Sequence, residues 1–254
     1  MNSVNFSRRE IILQLTGGDL VLRHQRSTMA PMKAQTYFTP ELFTFLRQLK
    51  RNNTREWFQR NKERYQAVVV EPALRFISDM AEPLAKLAPH LVADARPSRG
   101  SLFRIYRDTR FAADKTPYKT HVGIHFAHEA GKDVHAPLFY LHLEPGGSFA
   151  GGGVWHPDSA ALTKIRTAIV ANPAGWKKAR GKLELVGDSL SRPPKGFPCE
   201  HPFLEDLKRK DFVAITELSE EQLCGTQLLK QYSALCKSFT PLVEFTTKAL
   251  GLKF

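Results

Sequence analysis

Residues 103–120 set five cations, Arg104, Arg107, Arg110, Lys115 and Lys119, among the aromatics Phe103, Tyr106, Phe111 and Tyr118, with Asp108 and Asp114 between them. A guanidinium offers a planar fork of donors that matches the paired oxygens of a carboxylate or phosphate. Read as a strand, the first part of the segment puts Arg104, Tyr106, Asp108 and Arg110 on one face and Phe103, Ile105 and Arg107 on the other. Lys115 and Lys119 then arrive from the following loop. The expected anion-binding set is Arg104, Tyr106, Arg107, Arg110, Lys115, Tyr118 and Lys119, with Asp108 and Asp114 as candidate proton carriers. The same residue types also fit a structural network in which Arg–Asp pairs pin residues 109–118 to a sheet.

A second candidate lies further on, where Leu138, Tyr140, His142 and Glu144 alternate with Phe139, Leu141 and Leu143. If this strand pairs with its neighbours, His142 and Glu144 come near the arginines. A histidine beside a carboxylate can act as general acid or base near neutral pH, or can simply bond a neighbouring strand. Trp155 follows Gly151, Gly152 and Gly153 and is expected to cap a pocket or the sheet edge. Those glycines lack the Lys-Ser/Thr ending of a phosphate loop and more readily permit a bulge or close packing. No G-x-S-x-G elbow is present.

Nine histidines invite a metal test. On a strand His121 and His125 stand about 13 Å apart, at roughly 3.3 Å per residue, far too distant for one ion with Zn–N bonds near 2 Å. His125, His128 and His135 flank a hairpin, but no H-E-x-x-H frames them. Neither a metal nor a cofactor is expected.

The elements that must position these groups read as follows. Thr39, Pro40 and Glu41 start a helix with a hydroxyl cap, a proline and an acid. Leu42, Phe45, Leu46 and Leu49 recur at helical spacing until Asn52 and Asn53 stop them. Thr54 caps a second helix whose Trp57 and Phe58, beside Tyr65, should pack under a sheet. A third apolar stripe, Leu74, Ile77, Met80, Leu84 and Leu87, runs between Pro72 and Pro89. The period then shortens to two over residues 101–108, 119–127 and 136–144 and at Ser148, Phe149 and Ala150. Turns at Pro117, Gly131, Pro137 and Pro145-Gly146-Gly147 favour antiparallel neighbours. Asp158 caps a helix carrying Leu162, Ile165 and Ile169. The tail combines a short strand at 183–187, a Pro-rich loop at 192–202 and helices from 203 onward, with Ser219 and Gln222 as a capping box. The expected fold is α+β: a single domain over residues 34–254, its central antiparallel β-sheet covered by N- and C-terminal helices.

The 254 residues carry a formal charge of +12 and are 42% hydrophobic. That composition excludes a mostly disordered chain and a collagen-like repeat, and no apolar run is long enough for a bilayer-spanning helix. The excess charge is shared among several segments rather than gathered in one arm, so nucleic-acid binding is compatible with it but not indicated by it. Three cysteines without a C-x-x-C pair suit a reducing cytoplasm. Residues 11–15 are too short for a secretory apolar region. Residues 1–33 read as a loosely ordered arm or an over-long start of the reading frame; a strand or hairpin over residues 11–15 and 20–22, turning at Gly17-Gly18-Asp19, is the alternative.

The run Phe103-Arg104-Ile105-x-Arg107-Asp108-x-Arg110-Phe111-x-x-Asp114-Lys115-x-Pro117-Tyr118-Lys119-Thr120 closely resembles the signature of the conserved hypothetical proteins grouped as domain of unknown function 2461. Asn53-x-Arg55-Glu56-Trp57-Phe58, Tyr140-Leu141-His142-Leu143-Glu144-Pro145-Gly146 and Gly151-Gly152-Gly153-Val154-Trp155-His156-Pro157 resemble its other blocks, in the same order. Ile165-Arg166, Pro194-Lys195-Gly196-Phe197 and His201-Pro202 continue the likeness, which covers about residues 37–252. The resemblance implies one intact domain and a spurious or accessory N-terminus, and it implies no activity. The residues themselves point to a cytoplasmic protein that binds a phosphate- or carboxylate-bearing ligand over Arg104, Lys119 and their neighbours, with His142, Glu144 and Trp155 beside it. The alternatives are an enzyme using His142, Asp108 or Asp114 on such a ligand, and a basic nucleic-acid-binding accessory protein. No oligomeric state is legible.

Overall fold

The computed structural model describes residues 35–130 and 136–254. The readings made for residues 1–33, for the turn at Gly131 and for His135 lie outside the described residues. Helix α1 (Pro40–Arg51) buries Leu42, Phe43, Phe45, Leu46 and Leu49. Thr39 holds the cap position in extended geometry but makes no side-chain cap bond, leaving the helix start to Pro40 and Glu41. Thr54 does cap α2 (Arg55–Arg60), accepting the Trp57 N–H at 3.2 Å. Helix α3 (Lys62–Tyr65) leads through a π-helical turn over Gln66–Val70 into α4 (Glu71–Leu87).

Strands β1 (Val122–Ala127), β2 (Leu138–Leu143) and β3 (Phe149–Val154) form an antiparallel meander. Helices α5 (Ser159–Ala171) and α6 (Pro173–Arg180) follow, then the short strand β4 (Leu185–Val186), α7 (Leu204–Leu207), β5 (Phe212–Glu217), α8 (Glu220–Cys224) and the long α9 (Leu228–Ala249). Sheet order is β1-β2-β3-β5-β4, every pairing antiparallel. The chain is therefore an α+β domain with a central antiparallel sheet.

Two expectations fail in instructive ways. Strand β5 lies inside the stretch read as helical. Its run Phe212-Val213-Ala214-Ile215 is short and apolar throughout, and such a run shows no period that separates strand from helix. Residues 101–108 do not form a regular strand. They touch their neighbours only at isolated bridges, Leu102 with Ile124 and Tyr106 with Tyr118. The chain runs beside β1 at Phe103, whose N–H bonds the Gly123 carbonyl at 2.9 Å, then turns to pair with residues 117–119. The supposed row of cations on one strand face is thus broken.

Alternation along the strands decides where the core sits. Ile124, Phe126, Phe139, Leu141, Ala150, Val154, Phe212 and Ala214 are all fully or nearly fully buried on one face. Helix α9 lies across β3, β2 and β5 on that face, and α4 packs on α9 in turn. Tyr232 of α9 touches both Phe76 of α4 and Phe126 of β1, tying the N-terminal helices to the sheet. Trp57 and Phe58 part company: Phe58 is buried and stacks on Tyr118 at 4.2 Å, while Trp57 is only partly buried, against Phe45 of α1. Asn53 clamps the same loop, its side chain bonding both the carbonyl and the N–H of Tyr118 at 2.9 and 3.1 Å. No helix among the described residues is long and apolar enough to cross a membrane.

Candidate functional site

The face of the sheet opposite α9 carries Tyr140 and His142 on β2, Phe149, Gly151 and Gly153 on β3, and Val213 and Ile215 on β5. Gly151 lies between Tyr140 and Ile215 in the register, and Gly153 between Leu138 and Val213. With no side chains at these two central positions, the middle of the sheet is hollow. The result is a cavity of about 630 Å³ walled by Phe103, Tyr140, Phe149, Trp155, Val213 and Ile215. Gly152 points the other way, onto Phe239 of α9. The glycine triplet is therefore neither a phosphate loop nor a bulge: its alternate members let the helix approach on one side and open a pocket on the other.

His142 stands at one end of this cavity with its side chain only 12% exposed. Its Nε2 lies 3.1 Å from Glu144 Oε2 and its Nδ1 lies 3.0 Å from the Tyr140 hydroxyl. With Glu144 ionised, Nε2–H donates to the carboxylate, and the bare Nδ1 accepts the Tyr140 proton. The imidazole is stacked on Phe149 at 4.7 Å, which fixes its plane. Burial, and then the neighbouring Glu144 charge, push the Tyr140 phenol up to about 12. His121 completes the group, its ring 4.5 Å from that of His142. Burial, followed by the nearby His142, lowers the His121 imidazole to about 4, so it is neutral at neutral pH. Ser148 anchors the base of Glu144, accepting its N–H at 2.9 Å and donating to its carbonyl at 2.8 Å.

His121 also lines a second cavity, of about 390 Å³, together with Lys50, Asn53, Arg107, Asp114, Thr116, Tyr118 and Lys119. Walls of the two cavities touch. Lys119 Nζ lies 5.2 Å from the centre of the Phe103 ring, and the His121–His142 pair bridges the other side. Burial and the Arg104 charge lower the Lys119 ammonium pKa. The arrangement sets a basic pocket against an apolar one.

The residues singled out in the sequence divide accordingly. Lys119, His142 and Trp155 line the cavities, as do Arg107, Asp114 and Tyr118, while Glu144 sits behind His142. Asp108, Arg110 and Lys115 line neither cavity. Arg110 grips Asp108 through two bonds at 3.0 and 2.7 Å, and Lys115 reaches the Thr109 carbonyl at 2.9 Å. Arg107 bonds the Asp114 carboxylate and the Thr116 hydroxyl, and Asp114 accepts the Thr116 N–H. The Arg110 hydrogen bonds hold the Asp108 carboxyl at about 2, and the Thr116 N–H with Arg107 does the same for Asp114. Both stay ionised near neutral pH and neither is poised to carry a proton there. Tyr118 is 2% exposed and serves the core; Tyr106 is half exposed against it. Arg104 is exposed, within Coulombic reach of Asp108 and Lys119.

Sequence reasoning missed Lys50, Phe103, Tyr140, Phe149 and Ile215 as cavity walls. The alternation that singled out His142 already put Tyr140 on its face, whereas Ile215 was hidden by the misread strand. His121 was weighed against His125 along one strand, but its partners are across the sheet. Extending the β1–β2 register one residue beyond the Val122–Leu143 pair sets His121 opposite Glu144.

These features define an α+β protein with a ligand-sized hollow on the face of a five-stranded antiparallel sheet opposite α9 and a His–Glu–Tyr cluster at its rim. The chain belongs to the conserved hypothetical protein family DUF2461, whose model matches residues 41–245. Neither a curated protein nor a solved structure matches it.

Proposed function

We propose that the protein binds a small organic anion, its apolar body seated over Gly151 and its carboxylate or phosphate turned toward Lys119 and His121. One observation carries this reading: the walls of an aromatic cavity and a basic one touch, with the His121–His142 pair at the junction. The larger volume falls within the range of small-molecule sites, roughly 300–1,000 Å³, which are mostly apolar with a few placed polar groups. Lys119 and the exposed Arg104 repel one another in the free protein, so an arriving anion relieves an existing cost. The reading moves the ligand from the arginine row to the sheet hollow and keeps Lys119 as its charged contact. Three unpaired cysteines, one of them exposed, fit a reducing cytoplasm.

The test is a thermal-shift and calorimetric screen of aromatic and aliphatic carboxylates and phosphates, with inorganic phosphate as control. Compounds joining an apolar body to an acid should raise the melting temperature by linkage. Gly151→Val should abolish that gain by filling the hollow, and Lys119→Gln should weaken acids more than their amides. An equal response in Gly151→Val would overturn the reading. So would binding that depends on charge alone and collapses between about 50 and 200 mM salt, the behaviour of a nucleic-acid-type polyanion surface.

The Tyr140–His142–Glu144 chain favours one further reading of the same pocket, proton transfer to or from the bound ligand by His142. Turnover of a bound compound that disappears in His142→Gln, with binding retained, is its expected signature.

A further inference from the structure

We infer that His121, His142 and Glu144 form a binding site for a divalent transition-metal ion of the zinc type. One donor atom from each lies within 4.8 Å of the others. A tetrahedral ion about 2.0–2.1 Å from each donor needs them about 3.3 Å apart. The His142 Nε2–Glu144 Oε2 separation of 3.1 Å already meets that spacing, so only the His121 ring must swing inward. Two imidazoles and one carboxylate are borderline donors that suit zinc and its neighbours, whereas calcium and magnesium demand an all-oxygen set.

The surroundings are built as a metal site requires. His121 and Glu144 fall opposite one another when the β1–β2 register is continued one step past Val122–Leu143, and His142 is two residues from Glu144 on the same face, so the sheet brings the donors together. Ser148 fixes the backbone beneath Glu144, and Phe149 fixes the His142 ring. The Tyr140 hydroxyl, 3.0 Å from Nδ1, is the outer partner that metal-bound histidines regularly have. With the metal on Nε2, the ring proton of His142 sits on Nδ1 and donates to the Tyr140 oxygen, the phenol proton turning away. Gly123 makes room for it, since a Cβ there would lie 2.6 Å from the Tyr140 oxygen.

Three protein donors leave a fourth position open. His142 lines the apolar cavity and His121 the basic one, so that position faces their junction. An acidic group bound there would complete the coordination. That last clause rests on the anion reading above; metal binding itself does not.

The experiment uses the full chain, stripped with a chelator and titrated with Zn²⁺ by calorimetry and with Co²⁺ by visible absorption, no organic anion being present. The expected result is one ion per chain, a tetrahedral cobalt spectrum, and a melting temperature raised by Zn²⁺ through linkage. His121→Gln, His142→Gln and Glu144→Gln should each abolish the cobalt spectrum, with circular dichroism confirming the fold. Tyr140→Phe should keep the spectrum but weaken affinity about 10–100-fold, the usual effect of losing an outer partner. His90→Gln, remote from the cluster, should change nothing. Absence of a tetrahedral cobalt spectrum in the native chain, or its persistence in all three ligand variants, would overturn the proposal. Success of the metal titration with failure of every anion would sink only the anion reading.

Discussion

Exchanging one hydrogen for a methyl at two successive glycines should have opposite consequences, because the sheet turns them to opposite faces. A Cβ on Gly152 would lie 2.6 Å from Phe239 Cβ, 3.0 Å from its Cγ and 3.2 Å from Phe139 Cδ1. Phe239 Cβ is fixed to the α9 backbone, so the helix itself must shift to admit the methyl. Overpacking of that kind costs about 1–3 kcal/mol. At about 2–4 °C per kcal/mol for a domain of this size, Gly152→Ala should lower the melting temperature by about 2–12 °C. A Cβ on Gly151 would meet Ala214 O and Ile215 Cγ2 at 3.4 Å, ordinary contact distance, at the floor of the open cavity. There the smaller entropy of the unfolded chain favours the folded state by about 0.4–1 kcal/mol. Gly151→Ala should therefore melt at or slightly above the parent temperature. Differential scanning calorimetry of the two variants decides the matter. If Gly151→Ala loses as much as Gly152→Ala, the alternation that makes the cavity is wrong.

Phe58→Ala should cost about 3–5 kcal/mol in chemical denaturation, since it removes a buried ring stacked on Tyr118, and Trp57→Ala, at a partly buried position, should cost less. Arg110→Gln should leave the melting temperature unchanged, because the Asp108 pair it breaks is largely in solvent; a clear loss would show that residues 108–116 carry part of the fold. His125 offers a pH test. Burial lowers its pKa below the ordinary 6.5, so on acidification the unfolded chain takes up the proton first. Stability should fall as pH drops below about 6.5, down to the lowered folded value, and His125→Gln should flatten that slope in urea melts. An unchanged slope would mean that the ring is free to protonate in the folded protein.

What could be read in the sequence follows from how local each signal is. Thr54, Asp158 and Ser219 cap helices because a side-chain oxygen three residues from an N–H is a purely local arrangement. Strands β1 and β2 were legible from alternation, and β3 only at its start, Phe149 and Ala150, because the three glycines that follow carry no period. Strand β5 was not, because Phe212 to Ile215 are all apolar and only the sheet assigns Phe212 and Ala214 to the core and Val213 and Ile215 to the hollow. Arg107 and Arg110 looked like ligand forks, yet each is held by a carboxylate of its own loop, a pairing that the same spacing equally permits. Composition made Gly151, Gly152 and Gly153 conspicuous without saying what each one faces. His121 joins His142 and Glu144 only through the register of two strands, and no pattern along one strand contains that information.

The place of β5 in the sheet has a consequence for biosynthesis. Strand β3 stands at residues Phe149–Val154, but its second neighbour and the helix over its buried face come from Phe212–Glu217 and Leu228–Ala249. Until those C-terminal segments leave the ribosome, β3 is a glycine-rich edge with its hydrogen-bonding groups unpaired and its apolar neighbours bare. An edge of that kind is open to pairing with another chain, and long-range strand pairing is a slow step in folding. A nascent chain ending before residue 212 can therefore hold the meander but not the pocket. The unfinished polypeptide depends on the segments from Phe212 onward both to close the sheet and to shield it from its own copies.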